Sequence, residues 1–329
     1  MDNIEKSAEL LSVRELVVRY TSDGVPVHAV NGVSFDLAAG KTLGLVGETG
    51  AGKTTIAKTI MRILPDHAVQ AVEGEVFFKG GDILSIPEKS MRALRGDQIA
   101  MIFQDPMTAL NAVKTVSNQI AESISLHQDV NKKQAHEKAV EILETVGISA
   151  DRADEYPHQF SGGMKQRVVI ALAIACNPAL LIADEPTTAL DVTIQAQVLE
   201  LIDNIRRELN TSLILITHDL GVVAEICDTV AVVYAGQIVE SGNKADVFDN
   251  PSHPYTRGLF ASLPDMSKDV NRLSPIDGMP PDPTELPEGC SFHPRCEHAA
   301  DGCREGEIAM TQVGDGHFCR CCKAGQLGG

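Results

Sequence analysis

The chain has 329 residues, more than one compact core usually absorbs, so one domain with a sizeable addition, or two domains, is expected. Hydrophobic residues make up 43%, enough for a buried core, which excludes wholesale disorder. A formal charge of −17 argues against nucleic acid or anionic lipid as a direct partner, so any membrane association is expected to run through proteins.

The opening MDNIEKSAEL has neither a basic start nor an apolar core and does not read as a secretory signal. No stretch approaches the roughly 20 apolar residues that cross a bilayer, so a soluble chain is expected. Residues 12–20 alternate like a strand; residues 42–46 form a short apolar strand running into glycines, followed by a helical pattern over 53–64. Near-continuous apolar runs recur at 99–103, 180–183, 213–217 and 230–234, with helical segments such as 193–209 between them. That alternation predicts an α/β core with a parallel sheet covered on both faces.

Residues 105–178 read differently, as an inserted helical subdomain. Ala139, Ile142, Leu143 and Val146 fall on one helix face, and Gly147 stands where a C-terminal cap belongs. Beyond about 250, Pro264, Pro275, Pro280, Pro281, Pro283 and Pro287 interrupt any long element. The expected division is therefore 1–250 for the main domain and 251–329 for a loop-rich extension. No internal repeat is visible, so one copy of the main domain per chain is expected.

Gly47-Glu-Thr-Gly-Ala-Gly52-Lys53-Thr54 fits G-x-x-x-x-G-K-[ST], after a strand and before a helix. Glycines let successive backbone N–H groups curl around a phosphate, and the helix N-terminus adds partial positive charge. Gly47, Glu48, Thr49, Gly50, Ala51, Gly52, Lys53, Thr54 and Thr55 are thus the candidate nucleotide-binding residues, with Lys53 on the β- and γ-phosphates and Thr54 on Mg²⁺; the motif alone says NTP binding and no more. The run 180–185 is an apolar strand ending in two carboxylates: Asp184 as a Mg²⁺ partner, Glu185 as the residue that polarises the attacking water.

Phe160-Ser161-Gly162-Gly163-Met164-Lys165-Gln166-Arg167 resembles the signature motif of ABC ATPases, with Phe and Met in place of the commoner Leu and Gln. Gln104 resembles that family's Q-loop, a further Mg²⁺ contact; Ala189-Leu190-Asp191 resembles its D-loop. His218 resembles the switch histidine, and Tyr20 the aromatic that stacks on adenine. The set occurs in family order over residues 20–218. The resemblance implies a P-loop NTPase fold of the ABC type, ATP hydrolysis, and a head-to-tail dimer. There Ser161, Gly162 and Gly163 would complete the partner's site, Glu185 would act as base and His218 would stabilise the γ-phosphate.

His253-Pro254-Tyr255-Thr256, Leu259, and Gly289-Cys290-Ser-Phe-His-Pro294-Arg295-Cys296 followed by Cys303 resemble the C-terminal extension of dipeptide and oligopeptide importer ATPases. Tyr156-Pro157-His158-Gln159 fits the same branch. The resemblance implies two transmembrane permease subunits, a second and often paralogous ATPase, an extracytoplasmic peptide-binding protein, and peripheral attachment at the cytoplasmic membrane face. Nickel importers share this architecture, and a soluble ABC ATPase scaffold stays open as an alternative.

Six cysteines crowd the C-terminal region: Cys290, Cys296, Cys303, Cys319, Cys321 and Cys322. Disulfides do not suit an ATP-containing, reducing compartment. Zinc, a [4Fe–4S] cluster and unligated thiols remain; zinc favours tight C-x₂₋₄-C pairs, whereas spacings of five and six fit a cluster better. The resemblance implies that some importers of this branch carry such a cluster. Cys290, Cys296 and Cys303 are expected ligands. His317-Phe-Cys319-Arg-Cys321 resembles the family's closing H-x-x-x-C, making Cys321 the fourth, with Cys319 as alternative and His293 and His317 as hydrogen-bonded structural residues.

Overall fold

The computed structural model describes residues 9–188, 190–262 and 276–326. In chain order the strands are β1 (Glu9–Ser22), β2 (Val25–Ala38), β3 (Thr42–Val46), β4 (Val69–Phe78), β5 (Gly81–Asp82) and β6 (Ile99–Ile102). There follow β7 (Leu180–Asp184), β8 (Ser212–Ile216), β9 (Thr229–Tyr234), β10 (Gln237–Asn243), β11 (Thr311–Gly314) and β12 (His317–Cys319). The chain divides into two compact units, one containing Leu37–Thr42 and Asp82–Ile216, the other Leu11–Asp36, Leu43–Gly81 and the residues from Thr217 on.

In the first unit β6, β7 and β8 run parallel, Ile99 opposite Leu180 and Leu180 opposite Ser212. Every residue of these strands is buried, which explains why they read as unbroken apolar runs and not as alternations. The predicted strand 99–103 stops at Ile102, and Phe103 turns 38% exposed. Helices cluster between β6 and β7. Helix Lys132–Thr145 opens with a reciprocal capping box between Asn131 and Gln134. It closes as predicted: Gly147 has φ 79°, and Ile148 N–H reaches back to the Leu143 carbonyl. Helix Gly162–Ile174 is buried along most of its length, through Val168, Val169, Ile170, Ala171, Ala173 and Ile174, as befits an interior helix.

In the second unit the order is β11-β12-β10-β9-β3, with β3 and β9 parallel and the other pairs antiparallel. A second sheet, β2-β1-β4-β5, pairs β1 antiparallel to β4. Its strands were only partly foreseen, because β4 exposes Glu73, Gly74 and Glu75 and so lacks the clean alternation of a half-buried strand. Helix Lys53–Ile60 is shorter than the 53–64 pattern: Met61 caps it and Arg62 turns to φ 50°.

The extension is loop-rich in its described part. Pro264 and Pro275 lie outside the described residues. What attaches it is a strand and a buried aromatic group. β12 pairs with β10, placing Cys319 opposite Glu240. Tyr255 and Phe292 pack on Tyr234 with ring centroids 4.5 and 5.2 Å away. Among the described residues, no helix is long and apolar enough to cross a membrane.

Candidate functional site

The phosphate-loop candidates stand in the second unit. Strand β3 delivers the chain to Gly47, which adopts φ 149°; a Cβ there would lie 2.1 Å from the Val233 carbonyl oxygen. Gly52 at φ 103° is equally constrained, since a Cβ would lie 2.4 Å from the Ala29 carbonyl oxygen. Only glycine fits either place, which accounts for the spacing of the motif. Gly52 caps helix Lys53–Ile60, so the loop ends on a helix N-terminus, where first-turn N–H groups lack intrahelical acceptors and suit an anion. Lys53 is buried, and its Nζ donates to the carbonyls of Gly47 at 2.7 Å and Glu48 at 2.9 Å. Thr49 and Gly50 are exposed and Ala51 is buried, while Thr54 and Thr55 sit half-buried on the helix.

In the first unit, β7 ends at buried Asp184. Glu185 follows with φ 45°, a left-handed backbone that costs a non-glycine residue on the order of 1 kcal/mol or more. Its N–H donates to the Ile216 carbonyl at 2.8 Å, which holds that conformation in place. One carboxylate oxygen, Oε2, accepts from Gln104 Nε2 at 3.2 Å and from the Thr188 hydroxyl at 2.9 Å. The structure thus brings Gln104 and Glu185 together, and adds Thr188, which the sequence reading passed over.

Ser161 caps helix Gly162–Ile174, its hydroxyl accepting from Met164 N–H at 3.4 Å. A Cβ on Gly163 would lie 2.7 Å from Ile194 and one on Gly162 3.7 Å from Leu190, so the two glycines let this turn close on helix Val192–Glu208. Asp191 caps that helix, accepting from Ile194 N–H at 3.0 Å. Ala189 of the same segment lies outside the described residues. In the second unit, His218 is exposed between Thr217 and Asp219, whose N–H donates to the Thr217 hydroxyl at 3.0 Å. Tyr20 is half-buried near the end of β1, at an irregularity in the pairing with β4.

The C-terminal thiols lie close enough to act on one another's charge. Burial, reinforced by Cys321, Cys303 and Cys296, pushes the Cys290 thiol up to about 11. A hydrogen bond shared by Cys319 and Cys321 pulls the Cys321 thiol down and pushes the Cys319 thiol up. Cys303 and Cys322 sulfurs are 2.8 Å apart, which brings in a thiol that the spacing argument left aside. Among the described residues, no group of three or more His, Cys, Asp or Glu side chains is arranged to hold a metal ion. The predicted cluster or zinc cage is therefore not present as a ready geometry, although the donor set, soft sulfurs gathered in one place, suits either group chemically. His293 Nδ1 bonds with the Cys290 carbonyl at 3.0 Å, and His317 Nε2 with buried Glu240 at 2.7 Å.

Glu240 also accepts from the N–H groups of Ser252 and His253 at 2.7 and 2.8 Å. This carboxylate, missed in the sequence, ties the extension to β10. Arg295, which in the sequence stands only as part of a motif, grips the Glu48 carboxylate through its guanidinium in two bonds, 2.8 and 3.0 Å. Its signal was invisible because the partners are 247 positions apart.

Two family models match the chain: the ABC transporter model over residues 30–188, and the oligopeptide/dipeptide transporter C-terminal region over 239–303. The dipeptide transport ATP-binding protein DppD of Bacillus subtilis (strain 168) is 48% identical over 315 residues, covering 95% of this chain and 94% of the relative. The oligopeptide transport ATP-binding protein OppD of the same organism is 49% identical over 312 residues, covering 94% and 87%. Among solved structures, the ATP-binding cassette MJ0796, a dimer in a post-hydrolysis state bound to ADP and Pi, superposes with TM-score 0.64 at 22% identity, covering 71% of this chain and 99% of its own. CbiO1 of Clostridium perfringens, part of an ABC transporter complex, does so with TM-score 0.62 at 26% identity, covering 74% and 92%. The glycine-constrained loop before Lys53, the helix capped by Ser161 and identity along nearly the whole length agree, and the chain belongs to the ATP-hydrolysing ATP-binding subunits of ABC transporters, in the branch with the oligopeptide/dipeptide transporter C-terminal region.

Proposed function

We propose that this chain energises an importer of di- or oligopeptides. The observation that carries the reading is the near-full-length identity to peptide-transport ATP-binding proteins, C-terminal region included. It works with two permease subunits, a second and paralogous ATPase and an extracytoplasmic peptide-binding protein, on the cytoplasmic face of the membrane. Residues 1–250 form the ATPase domain, with 105–178 as its helical subdomain, and 251–329 the extension.

Tyr20 stacks on adenine, and Gly47 to Thr55 cradle the phosphates, with Lys53 on the β- and γ-phosphates. Thr54, Gln104 and Asp184 serve Mg²⁺, Glu185 polarises water, and His218 stabilises the charge that develops on the γ-phosphate. Ser161, Gly162, Gly163 and Asp191 act across a dimer that ATP closes and hydrolysis reopens. The hydrogen bonds from Gln104 and Thr188 to Glu185 support its part, because they orient the carboxylate.

Cys290, Cys296, Cys303 and Cys321, with Cys319 as the alternative to the last, hold a [4Fe–4S] cluster; zinc is the alternative occupant. The spacing His317-x-x-x-Cys321 supports this choice of fourth ligand. When bound, the group staples an extension too rich in proline to build a large core. Anaerobic purification of wild type, Cys321→Ser and Cys319→Ser, followed by iron, sulfide and zinc analysis, is expected to show metal lost only with Cys321.

The function is tested by reconstituting the chain with its two membrane subunits and second ATPase in vesicles, adding the binding protein and following labelled dipeptide uptake. ATP-dependent peptide uptake that Ni²⁺ does not compete with supports the reading. Uptake of Ni²⁺ alone would replace the substrate, and failure to assemble with any membrane subunit would remove transport altogether.

A further inference from the structure

The backbone N–H and the carboxylate of Glu48 are both taken by residues far away in the chain. Its backbone N–H donates to the Tyr255 hydroxyl at 2.9 Å, across 207 positions. Its carboxylate receives Arg295 through Nη1 at 2.8 Å and Nη2 at 3.0 Å. This is a bidentate, charge-assisted pair, the geometry that holds an arginine fork most firmly. The Arg295 side chain is only 5% exposed, against 29% for Glu48. Its Nε donates to the Asp277 carbonyl at 3.0 Å and Nη1 also to the Tyr234 hydroxyl at 3.3 Å, so the fork cannot swing away without leaving buried donors unpaired.

The connection to the nucleotide runs through one peptide unit. The Gly47 carbonyl and the Glu48 N–H belong to the same planar group. Tyr255 holds its N–H end, and Lys53 donates to its carbonyl end at 2.7 Å. The next carbonyl, that of Glu48, accepts from Lys53 at 2.9 Å. Orienting this peptide therefore orients Lys53. The charge matters too, since Glu48 is an anion within the loop that receives a triphosphate, and Arg295 neutralises it.

We infer that Tyr255 and Arg295 of the C-terminal region are positioning residues for ATP: Tyr255 sets the Gly47–Glu48 peptide, and Arg295 holds Glu48 and masks its charge from the nucleotide. The inference rests on residues 47–55 being the phosphate loop. It makes the extension part of the nucleotide site and not only an attachment.

The test uses the full chain assembled with its membrane subunits and measures KM for MgATP, kcat, equilibrium ATP binding and the thermal midpoint. Arg295→Ala is expected to raise KM about ten-fold, with kcat changing less than about three-fold, the scale of one charge-assisted bond discounted for partial exposure. Arg295→Lys, which keeps the charge but loses the fork, should fall between. Adding Glu48→Gln to Arg295→Ala should recover most of the ATP affinity, because the unmasked charge is gone. Tyr255→Phe should raise KM by about five-fold while packing stays intact. An Arg295→Ala protein with unchanged KM, or a double variant no better than the single, would overturn the inference. So would a lowered midpoint and kcat at constant KM, the mark of a merely structural residue. If Arg295→Ala does not fold, Arg295→Lys and Tyr255→Phe are read by the same criteria. Lys53→Ala separates the two layers: undiminished ATP binding in that variant removes the phosphate-loop reading, whereas its loss alongside normal binding by Arg295→Ala removes only the inference.

Discussion

At the scale of single residues, Glu185 concentrates the most unusual chemistry of the first unit. Its left-handed backbone, the ladder bond to Ile216 and the two donors on Oε2 together fix one carboxylate where a freely rotating side chain would otherwise sweep. Strain of this kind persists only where the surroundings hold it, and it collects at functional sites. Glu185→Gln keeps the shape and both neighbours but removes the proton acceptor, so ATP binding should persist while turnover falls about 10²- to 10⁴-fold. A phosphate-release assay beside an ATP-binding titration checks this, and wild-type turnover in the variant would place the base elsewhere. Thr188→Val should lower kcat by less, about ten-fold, because Gln104 still holds the same oxygen.

Helices and their caps allow a distinction between stabilising and acting residues. Asp191 accepts a 3.0 Å bond from the third N–H of helix Val192–Glu208, whereas the matching bond at Ser161 is 3.4 Å long. Asp191→Ala should therefore cost about 1 kcal/mol of stability, read as a lower denaturation midpoint, and Ser161→Ala less than about 0.5 kcal/mol. If Ser161→Ala loses ATPase activity by far more than its midpoint shift accounts for, its hydroxyl acts on nucleotide. A midpoint drop as large as that of Asp191→Ala would instead mark it as a cap. At the same scale the sequence was legible where elements are buried on both faces or capped by local chemistry, as in β7 and in helix Lys132–Thr145. It was less legible in β4, whose exposed Glu73 and Glu75 carry no alternation to read, because pairing with β1 decides that strand.

For the molecule as a whole, acid sensitivity should trace to His253. It is fully buried, its Nδ1 accepts from the Tyr255 N–H at 3.1 Å, and burial pulls its pKa down to about 3. The groups around it are the Phe292 ring, the Arg320 backbone and the Glu240 carboxylate, which accepts the His253 N–H. An unfolded histidine takes up a proton near pH 6.5, and the folded one does not. Between those values the unfolded state binds more protons, so stability is full above about pH 6.5 and falls as the pH drops toward about 3. The slope should approach about 1.4 kcal/mol per pH unit. His253→Asn, which retains a side-chain acceptor near the Tyr255 N–H, should flatten the curve by that amount in urea titrations from pH 7 to 4.5. An unchanged slope would assign the acid sensitivity to other groups.

The sequence by itself determined the α/β class, the glycine-rich loop ahead of Lys53, the carboxylates at 184 and 185, and the helix cap at Gly147. These depend on neighbours within about ten positions, where periodicity, glycine and capping rules operate. Only the tertiary structure decided the burial of Glu240 against His317 and the grip of Arg295 and Tyr255 on Glu48. Those contacts join residues by folding alone. A carboxylate and a guanidinium 247 positions apart leave no local pattern, and their pairing exists only once the strands between them have closed into a sheet.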